Sequence, residues 1–160
     1  MFAHLIFAVV DFAARNGLAT AGNDSGVPES PKRLARQVGI HGESYAYWYL
    51  RRKGYIMVAR NYTFPGMKGE IDMVGYDGPV LAFVEVKTRS IPKSGSTTPT
   101  PEDVVDWEKR RNLERMARQF ALSRRVASNS YRFDVLAIMT DVGARPTVRL
   151  HKGAFTSERQ

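Results

Sequence analysis

The segment Gly69–Arg89, GEIDMVGYDGPVLAFVEVKTR, constrains the fold more than any other part of the chain. Two runs of strand-forming residues flank Asp77-Gly78, a dipeptide typical of two-residue hairpin turns. With that turn, Glu70 lies opposite Glu85 in an antiparallel pair. Because side chains alternate between the faces of a strand, one face of the hairpin is apolar. This face consists of Ile71, Met73, Val80, Ala82, Val84 and Val86.

The other face carries three acids and a lysine, Glu70, Asp72, Glu85 and Lys87. Directly opposed side chains lie about 5 Å apart at Cβ, so these carboxylates would repel one another. One lysine cannot neutralise three acids, whereas a divalent cation can. A one-residue slip would separate the two acid pairs, and the bland alternative is a solvated polar face. Three apolar residues share this face, so we expect something to cover it: Val74, Leu81 and Phe83.

The composition limits which metal and which partner can be involved. The chain has no cysteine and only three histidines, so a thiol nucleophile and a cysteine- or histidine-based metal site are excluded or disfavoured. Carboxylate oxygens suit magnesium or manganese. The net charge of +8 favours a polyanionic partner such as nucleic acid, although a basic protein with nothing bound fits the charge equally well.

The first 31 residues differ in composition from the rest. MFAHLIFAVVDF has an apolar face at helical spacing, which predicts an amphipathic helix that docks on the domain or a partner. It lacks the basic start of a signal peptide, and no stretch is long enough to span a membrane. Thr20–Pro31 reads as a flexible linker. We therefore expect a cytoplasmic protein with an extension at 1–31 and one domain at 32–160.

The rest of the chain alternates helix and strand patterns. We expect an α/β fold in which helices flank a mixed β-sheet. Thr100 can cap the later helix and Pro101 suits its first position, and the polar loop Ser90–Pro101 precedes it. The expected elements are a helix at 34–53, a strand at 55–64, the hairpin, a helix ending near Ser123, a central strand at 131–140 and an edge strand at 145–155.

These residues also carry a resemblance to a known family. Asp72, followed after twelve residues by Glu85-Val86-Lys87, resembles the signature of the PD-(D/E)xK nuclease superfamily. The ordered segments HGESYAYWYLRRKGYIMVARNY, GEID, FVEVKTR, KRRNL and RFDVLAI resemble the YraN family, small bacterial proteins similar to Holliday-junction resolvases. The resemblance covers roughly Gly42–Phe155. Ile71 stands where the superfamily label has proline.

The resemblance implies a restriction-endonuclease-like fold and a magnesium- or manganese-dependent nuclease. Asp72, Glu85 and the main-chain carbonyl of Val86 would hold the metal. Lys87 would orient the attacking water and stabilise developing negative charge, chemistry that suits phosphodiester hydrolysis. Glu70 would assist or only shape the local field.

Two further residues break the apolar stripes of their helices. Glu43 lies on the stripe of the first helix that should face the sheet. It is either an acid favoured near the positive helix end or, as the resemblance implies, another metal-site carboxylate. Lys109 interrupts the stripe of the later helix, and either points at the acid cluster or the scissile phosphate, or extends its ammonium to solvent.

The later helix is strongly basic, with seven basic residues and one acid between Lys109 and Arg125. We expect a track for the phosphate backbone, although a solvated helix face is the usual explanation of such a run. The track would include Lys109, Arg110, Arg111, Arg115 and Arg118. By contrast, we expect helix packing rather than base stacking from Tyr45, Tyr47, Trp48 and Tyr49, and a structural role for Arg132 and Asp134.

The sequence thus predicts a metal-dependent endonuclease acting on branched or structured DNA. Resolvases usually act as symmetric dimers, so a homodimer is possible, but no stretch identifies an interface. One alternative is a non-catalytic nucleic-acid-binding module that keeps the fold and the metal site. Another is an interaction protein that docks through its N-terminal helix.

Overall fold

A computed structural model of the chain describes residues 31–90, 107–127, 130–140 and 146–155. The expected N-terminal helix, the linker and the helix cap at Thr100 and Pro101 lie outside these residues. The loop expected at Ser90–Pro101 lies outside them from residue 91 onward. The described part therefore comprises the sheet and the two helices beside it.

The elements follow the expected order. They are α1 (Pro31–Arg52), β1 (Ile56–Tyr62), β2 (Ile71–Asp77), β3 (Val80–Ser90), α2 (Trp107–Ser123), β4 (Tyr131–Thr140) and β5 (Thr147–Phe155). The five strands form one sheet in the order β1-β2-β3-β4-β5. β3 and β4 are parallel and the other neighbours are antiparallel. The mixed sheet and the edge position of β5 confirm the expected fold class. Neither described helix is long and apolar enough to cross a membrane.

The helices pack on opposite faces of the sheet. α1 contributes Ala46 and Leu50, both fully buried, to a cluster with Val84 and other residues of the central strands. α2 contributes Met116 and Phe120 to a second cluster. This second cluster contains Val74, Leu81 and Phe83, so α2 is the expected cover over the acid-bearing face.

The end of α1 is set by glycine. Gly54 has φ +95°, a left-handed conformation that suits glycine. The amide of Tyr55 donates to the Leu50 carbonyl at 3.0 Å, and that of Gly54 donates to the Arg51 carbonyl at 3.1 Å. This pair of bonds is the Schellman motif, and it directs the chain from α1 into β1.

The hairpin register differs from the expected one. The turn residues are Gly78 and Pro79 rather than Asp77 and Gly78, because Asp77 pairs with Val80. Every pairing is therefore shifted by two residues relative to the expected register, and Val74 lies opposite Phe83. Since the side-chain period of a strand is two, a two-residue shift changes the partners but keeps the faces. Ile71 is the exception, because at the start of β2 it packs in the α2 cluster and not with Met73 and Val84. The expected pairing of Glu70 with Glu85 is wrong, and the register instead places Asp72 beside Glu85.

A buried polar network joins β2, β4 and β5 beside the hairpin turn. Asp134 is fully buried. It accepts hydrogen bonds from Arg132 Nε at 2.8 Å, from the Gly153 amide at 2.9 Å and from the Tyr55 hydroxyl at 3.2 Å. Arg132 also donates to Asp77 at 2.5 Å. These contacts confirm that Arg132 and Asp134 are structural, since they tie the sheet together on the α1 side.

Candidate active site

The candidate site lies where β2 begins and β3 passes beneath the start of α2. Asp72 and Glu85 are 7% and 3% exposed, which makes them two of the three buried acids of the described residues. Acids at this depth are costly unless they are compensated. The surroundings of each carboxylate therefore show what the site can bind.

Glu85 is compensated on one oxygen only. Its Oε1 forms one ion pair with Lys87 Nζ at 2.8 Å and another with the Lys109 ammonium. Its Oε2 is buried and has no hydrogen-bond partner among the described residues. A buried carboxylate oxygen without a partner is unusual in folded proteins, so Glu85 is only half satisfied by the described residues.

Asp72 is held by the backbone rather than by a cation. Its Oδ2 accepts a hydrogen bond of 2.7 Å from the amide of Val86, the residue between Glu85 and Lys87. Burial, and then the neighbouring Glu85 charge, raise the pKa of Asp72 to about 7, against the opposing effects of the Val86 amide and Lys109. The surroundings of Asp72 therefore disfavour its ionised form up to neutral pH.

Lys109 connects α2 to the carboxylates. Partial burial disfavours its charge, but the Glu85 carboxylate outweighs burial, and the pKa of Lys109 is raised. The side chain of Lys109 is 41% exposed while its ammonium contacts Glu85. Of the two alternatives that the sequence leaves open for this residue, the structure supports the one in which Lys109 points at the acids.

Glu43 lies at the rim of the site. It is partly buried on α1 and accepts a hydrogen bond of 2.9 Å from Asn61 Nδ2 on β1. Its negative charge makes a small contribution to the raised pKa of Asp72. Asn61 was not anticipated from the sequence. It has φ +47°, and the propensity of asparagine for this conformation is the only signal the sequence offers.

A close approach of backbone fixes the position of Glu43. A Cβ placed on Gly42 would lie 1.9 Å from Thr88 Oγ1, so only glycine fits there. Thr88 follows Lys87 on β3. The turn of α1 that contains Gly42 and Glu43 therefore packs directly against β3, the strand that carries Glu85 and Lys87.

Glu70 is separate from the buried pair. It precedes β2 and is exposed, at the edge of an open groove of about 400 Å³. The groove separates the end of the β1–β2 connection from α2. Its lining consists of Lys68, Gly69, Glu70, Glu108, Lys109, Asn112, Leu113 and Met116. The expected cluster of acids therefore divides into a buried pair and two peripheral members.

The described residues contain no group of three acidic or histidine side chains close enough to bind one metal ion together. The donor set that remains is Asp72, Glu85 and main-chain oxygen. Hard oxygen donors of this kind fit magnesium, which commonly keeps several waters and takes one or two carboxylates. The unpartnered Glu85 Oε2 is the one oxygen of this pair known to lack a partner among the described residues.

The basic residues of α2 fall into two groups. Arg111, Arg115 and Arg118 are exposed and recur at helical spacing on the outer face. Arg110 is partly buried. Its guanidinium lies 4.6 Å from the ring centroid of Phe155 and 3.7 Å from Glu114, so packing and ion pairing occupy it.

The order of the five strands, with one helix on each face and a buried carboxylate pair and lysine on the central strands, defines a restriction-endonuclease-like α/β protein. A family model described as "Uncharacterised protein family UPF0102" matches residues 42–138, which include every residue of the candidate site. The chain therefore belongs to the UPF0102 family, which is the YraN family.

Similar proteins from several bacteria support the assignment. A UPF0102 protein of Koribacter versatilis (strain Ellin345) is 39% identical over 129 residues, 80% of this chain and 84% of the relative. One from Solibacter usitatus (strain Ellin6076) is 41% identical over 124 residues, 78% and 89% of the two chains. One from Moorella thermoacetica is 41% identical over 121 residues, 75% and 96%.

Proposed function

We propose that this protein is a cytoplasmic, metal-dependent endonuclease that hydrolyses phosphodiester bonds in branched or structured DNA. The observation that carries the proposal is the buried Glu85 Oε2, which has no partner beside a second buried acid, Asp72. A purely structural acid pair would satisfy both carboxylates internally. An arrangement that leaves one oxygen open fits a site that receives a cation.

Asp72, Glu85 and the Val86 carbonyl are the groups that would hold magnesium or manganese. The Val86 amide already points to Asp72. Because both main-chain groups of a strand residue face the same neighbouring strand, its carbonyl is directed to that side too. A bound divalent ion supplies a polarised water and a counter-charge for the reacting phosphate.

The two lysines would act on the substrate. Lys87 is 25% exposed and lies 2.8 Å from Glu85, so its ammonium can hold the attacking water or the phosphate oxygens at the edge of the site. Lys109 approaches the same carboxylate from α2. Both positive charges lie where negative charge develops on the phosphate, which is the placement that favours the transition state. Glu70 and Glu43 would shape the field from the rim.

The path of the DNA would follow α2. Exposed Arg111, Arg115 and Arg118 extend away from Lys109 on one helix face, and such contacts bind the backbone without reading bases. The open groove beside Lys109 gives a strand access to the carboxylates. These features support a substrate recognised by shape rather than by sequence.

The test is cleavage of labelled four-way junction, flap, single-stranded and linear duplex DNA with magnesium, manganese or EDTA. Glu85→Gln keeps the shape of the side chain and removes its charge, and Arg149→Gln is a control on the exposed edge strand β5. We expect metal-dependent cutting by the wild type and the control, and a loss of at least about 100-fold in Glu85→Gln. Cutting that survives Glu85→Gln would refute the assigned site.

A second candidate is a non-catalytic DNA-binding module. Lys87 and Lys109 both pair with Glu85, so an ion-pair network stabilises part of the site with no metal bound. Salt-sensitive binding of every substrate, with no cutting in magnesium or manganese, would establish this candidate.

A further inference from the structure

A second basic surface lies on the opposite side of the sheet from the α2 arginines. It is formed by the C-terminal half of α1 and the edge strand β1. Between Ser44 and Tyr62 the chain has four basic residues and no acid. The exposed members at its centre are Arg51 and Arg60. We name this surface, with Tyr47 and Trp48, the α1–β1 patch.

The aromatic rings of the patch hold its arginines in place. The Arg60 guanidinium lies 4.8 Å from the centroid of the Tyr47 ring, and that of Arg51 lies 5.8 Å from the same ring. Arg51 also lies 5.6 Å from the Trp48 centroid and donates to the Tyr47 hydroxyl at 3.2 Å. Tyr47 and Trp48 meet edge to face at 5.0 Å. Two positive charges are thus fixed on one ring.

Glu43, one turn before Tyr47 on α1, is hydrogen-bonded to Asn61 and forms an ion pair with neither arginine. Neither Arg51 nor Arg60 forms an ion pair within the part of the chain that the structure describes. Like charges held close together cost free energy unless an anion joins them. Positive charge beside aromatic rings is a feature of single-strand nucleic-acid sites.

The patch is continuous with the candidate active site. Tyr47 lies one helical turn after Glu43 on α1, so their side chains are neighbours on the helix surface. Arg60 immediately precedes Asn61, whose side chain bonds Glu43. The positive φ of Asn61 interrupts the alternation of β1, and both consecutive side chains reach α1. A strand that leaves the carboxylates past Glu43 therefore arrives at Tyr47 and Arg60.

We infer that the α1–β1 patch binds an unpaired segment of the DNA substrate, with phosphates on Arg51 and Arg60 and bases on the faces of Tyr47 and Trp48. The inference rests on the proposed function, because it assumes that DNA is the ligand. It adds that the substrate is recognised on both sides of the sheet. The α2 arginines bind duplex backbone, and the patch binds single strand.

The experiment measures binding in EDTA, so that cleavage plays no part. Fluorescence anisotropy with labelled oligothymidylate and with a linear duplex compares the wild type with Arg60→Gln and Tyr47→Leu. Arg149→Gln is the matched control, since Arg149 is an exposed arginine on the other edge strand, β5. Thermal melting of each variant shows that it is folded, and Tyr47→Phe keeps the ring while removing the hydroxyl.

We expect Arg60→Gln and Tyr47→Leu each to weaken oligothymidylate binding roughly 10-fold, as loss of one stacking or phosphate contact does. Arg60→Gln should also lower the salt slope by about 0.7. Tyr47→Phe and Arg149→Gln should change it little, and duplex binding should depend on the α2 arginines instead. Equal losses in Arg60→Gln and Arg149→Gln would show non-specific charge and overturn the inference, as would unchanged binding by folded Tyr47→Leu.

Trp48 gives a direct signal of contact. The chain has two tryptophans, so Trp107→Phe leaves Trp48 as the remaining one. Oligothymidylate should quench its fluorescence, because a base stacks on the ring. Absence of quenching at saturation, or equal quenching by polyglutamate, would refute a base-binding surface and point to an acidic protein partner. Since none of these measurements needs catalysis, their failure leaves the cleavage test of the proposed function intact, and failure of cleavage leaves them informative.

Discussion

Replacing Asp72 by asparagine should make the protein more stable. Asp72 has its pKa raised from 3.8 to about 7 by burial and by the charge of Glu85. The folded state therefore binds a proton that the unfolded chain has already lost. Between the unfolded-state pKa of 3.8 and the folded-state pKa of about 7, the free energy of unfolding falls as pH rises, because ionising Asp72 costs more in the folded protein. Asparagine keeps an oxygen that can accept from the Val86 amide and carries no charge.

The size of the effect follows from the shift. One pKa unit corresponds to about 1.36 kcal/mol, so a shift of this size sets an upper limit of about 4 kcal/mol. Coupling to Glu85 and the two nearby lysines reduces the expected gain to about 1–3 kcal/mol above pH ~8. For a chain of this length each kcal/mol raises Tm by about 2–4 °C. As pH falls below the unfolded-state pKa of 3.8, Asp72 becomes protonated in the unfolded chain as well as in the folded protein. The stability gained by Asp72→Asn then disappears.

The assay is urea denaturation across this pH range in EDTA, for wild type, Asp72→Asn and Asp77→Asn. Hydrogen bonds from Lys152 and Arg132 hold the pKa of Asp77 below its usual range. Asp77→Asn should therefore have the opposite sign and lose stability at neutral pH. Adding magnesium should stabilise the wild type and leave Asp72→Asn unchanged, because only the former keeps the ligand. Wild-type and Asp72→Asn curves that stay parallel with pH would refute the reasoning.

Other substitutions test the supporting structure. Gly42→Ala places a methyl against Thr88 and should cost about 1–3 kcal/mol in urea denaturation, while Gly78→Ala, with open space around it, reports backbone strain alone. Asp134→Ala leaves Arg132 without its main partner and should cost about 3–5 kcal/mol; a loss below 1 kcal/mol would contradict the network. Arg118→Gln should weaken duplex binding in anisotropy titrations and lower the salt slope by about 0.9, and an unchanged slope would remove this residue from the track.

Much of the fold could be predicted because local signals and burial agree. The continuous apolar run at Tyr131–Thr140 coincides with β4. The Lys53-Gly54 stop signal predicts the end of α1 to within one residue, since the helix ends at Arg52 instead of Lys53. The turn was less predictable. Asp77-Gly78 has strong hairpin propensity, but Asp77 is fixed within β2 by Arg132 and Lys152. These partners are distant in sequence, so a tertiary contact overrides the local preference and moves the turn by one residue.

The site was predictable where the face of a strand decides the position. Asp72, Glu85 and Lys87 stay on one face even though the register shifts, because the shift is even. The position of Glu70 could not be predicted in this way, since Glu70 lies before β2 begins. The contact between Tyr47 and Arg60 could not be predicted either. Its ring packs beside α1 as expected, but the contact with Arg60 depends on a left-handed Asn61 that no periodicity reveals.

The charges around Asp72 and Glu85 in the folded protein differ from those counted along the hairpin sequence. Counting charges along the hairpin gives three acids against one lysine, and this imbalance alone suggests a divalent cation. In the folded protein Glu70 leaves the cluster and Lys109 joins it from α2, so the central charges, Asp72 and Glu85 against Lys87 and Lys109, balance. What remains is geometric. Both lysines reach the same oxygen of Glu85, while its other oxygen has no partner and Asp72 keeps a raised pKa. This unsatisfied oxygen supports the proposal of a divalent cation, because one such ion could take Glu85 Oε2 and an Asp72 oxygen as ligands together.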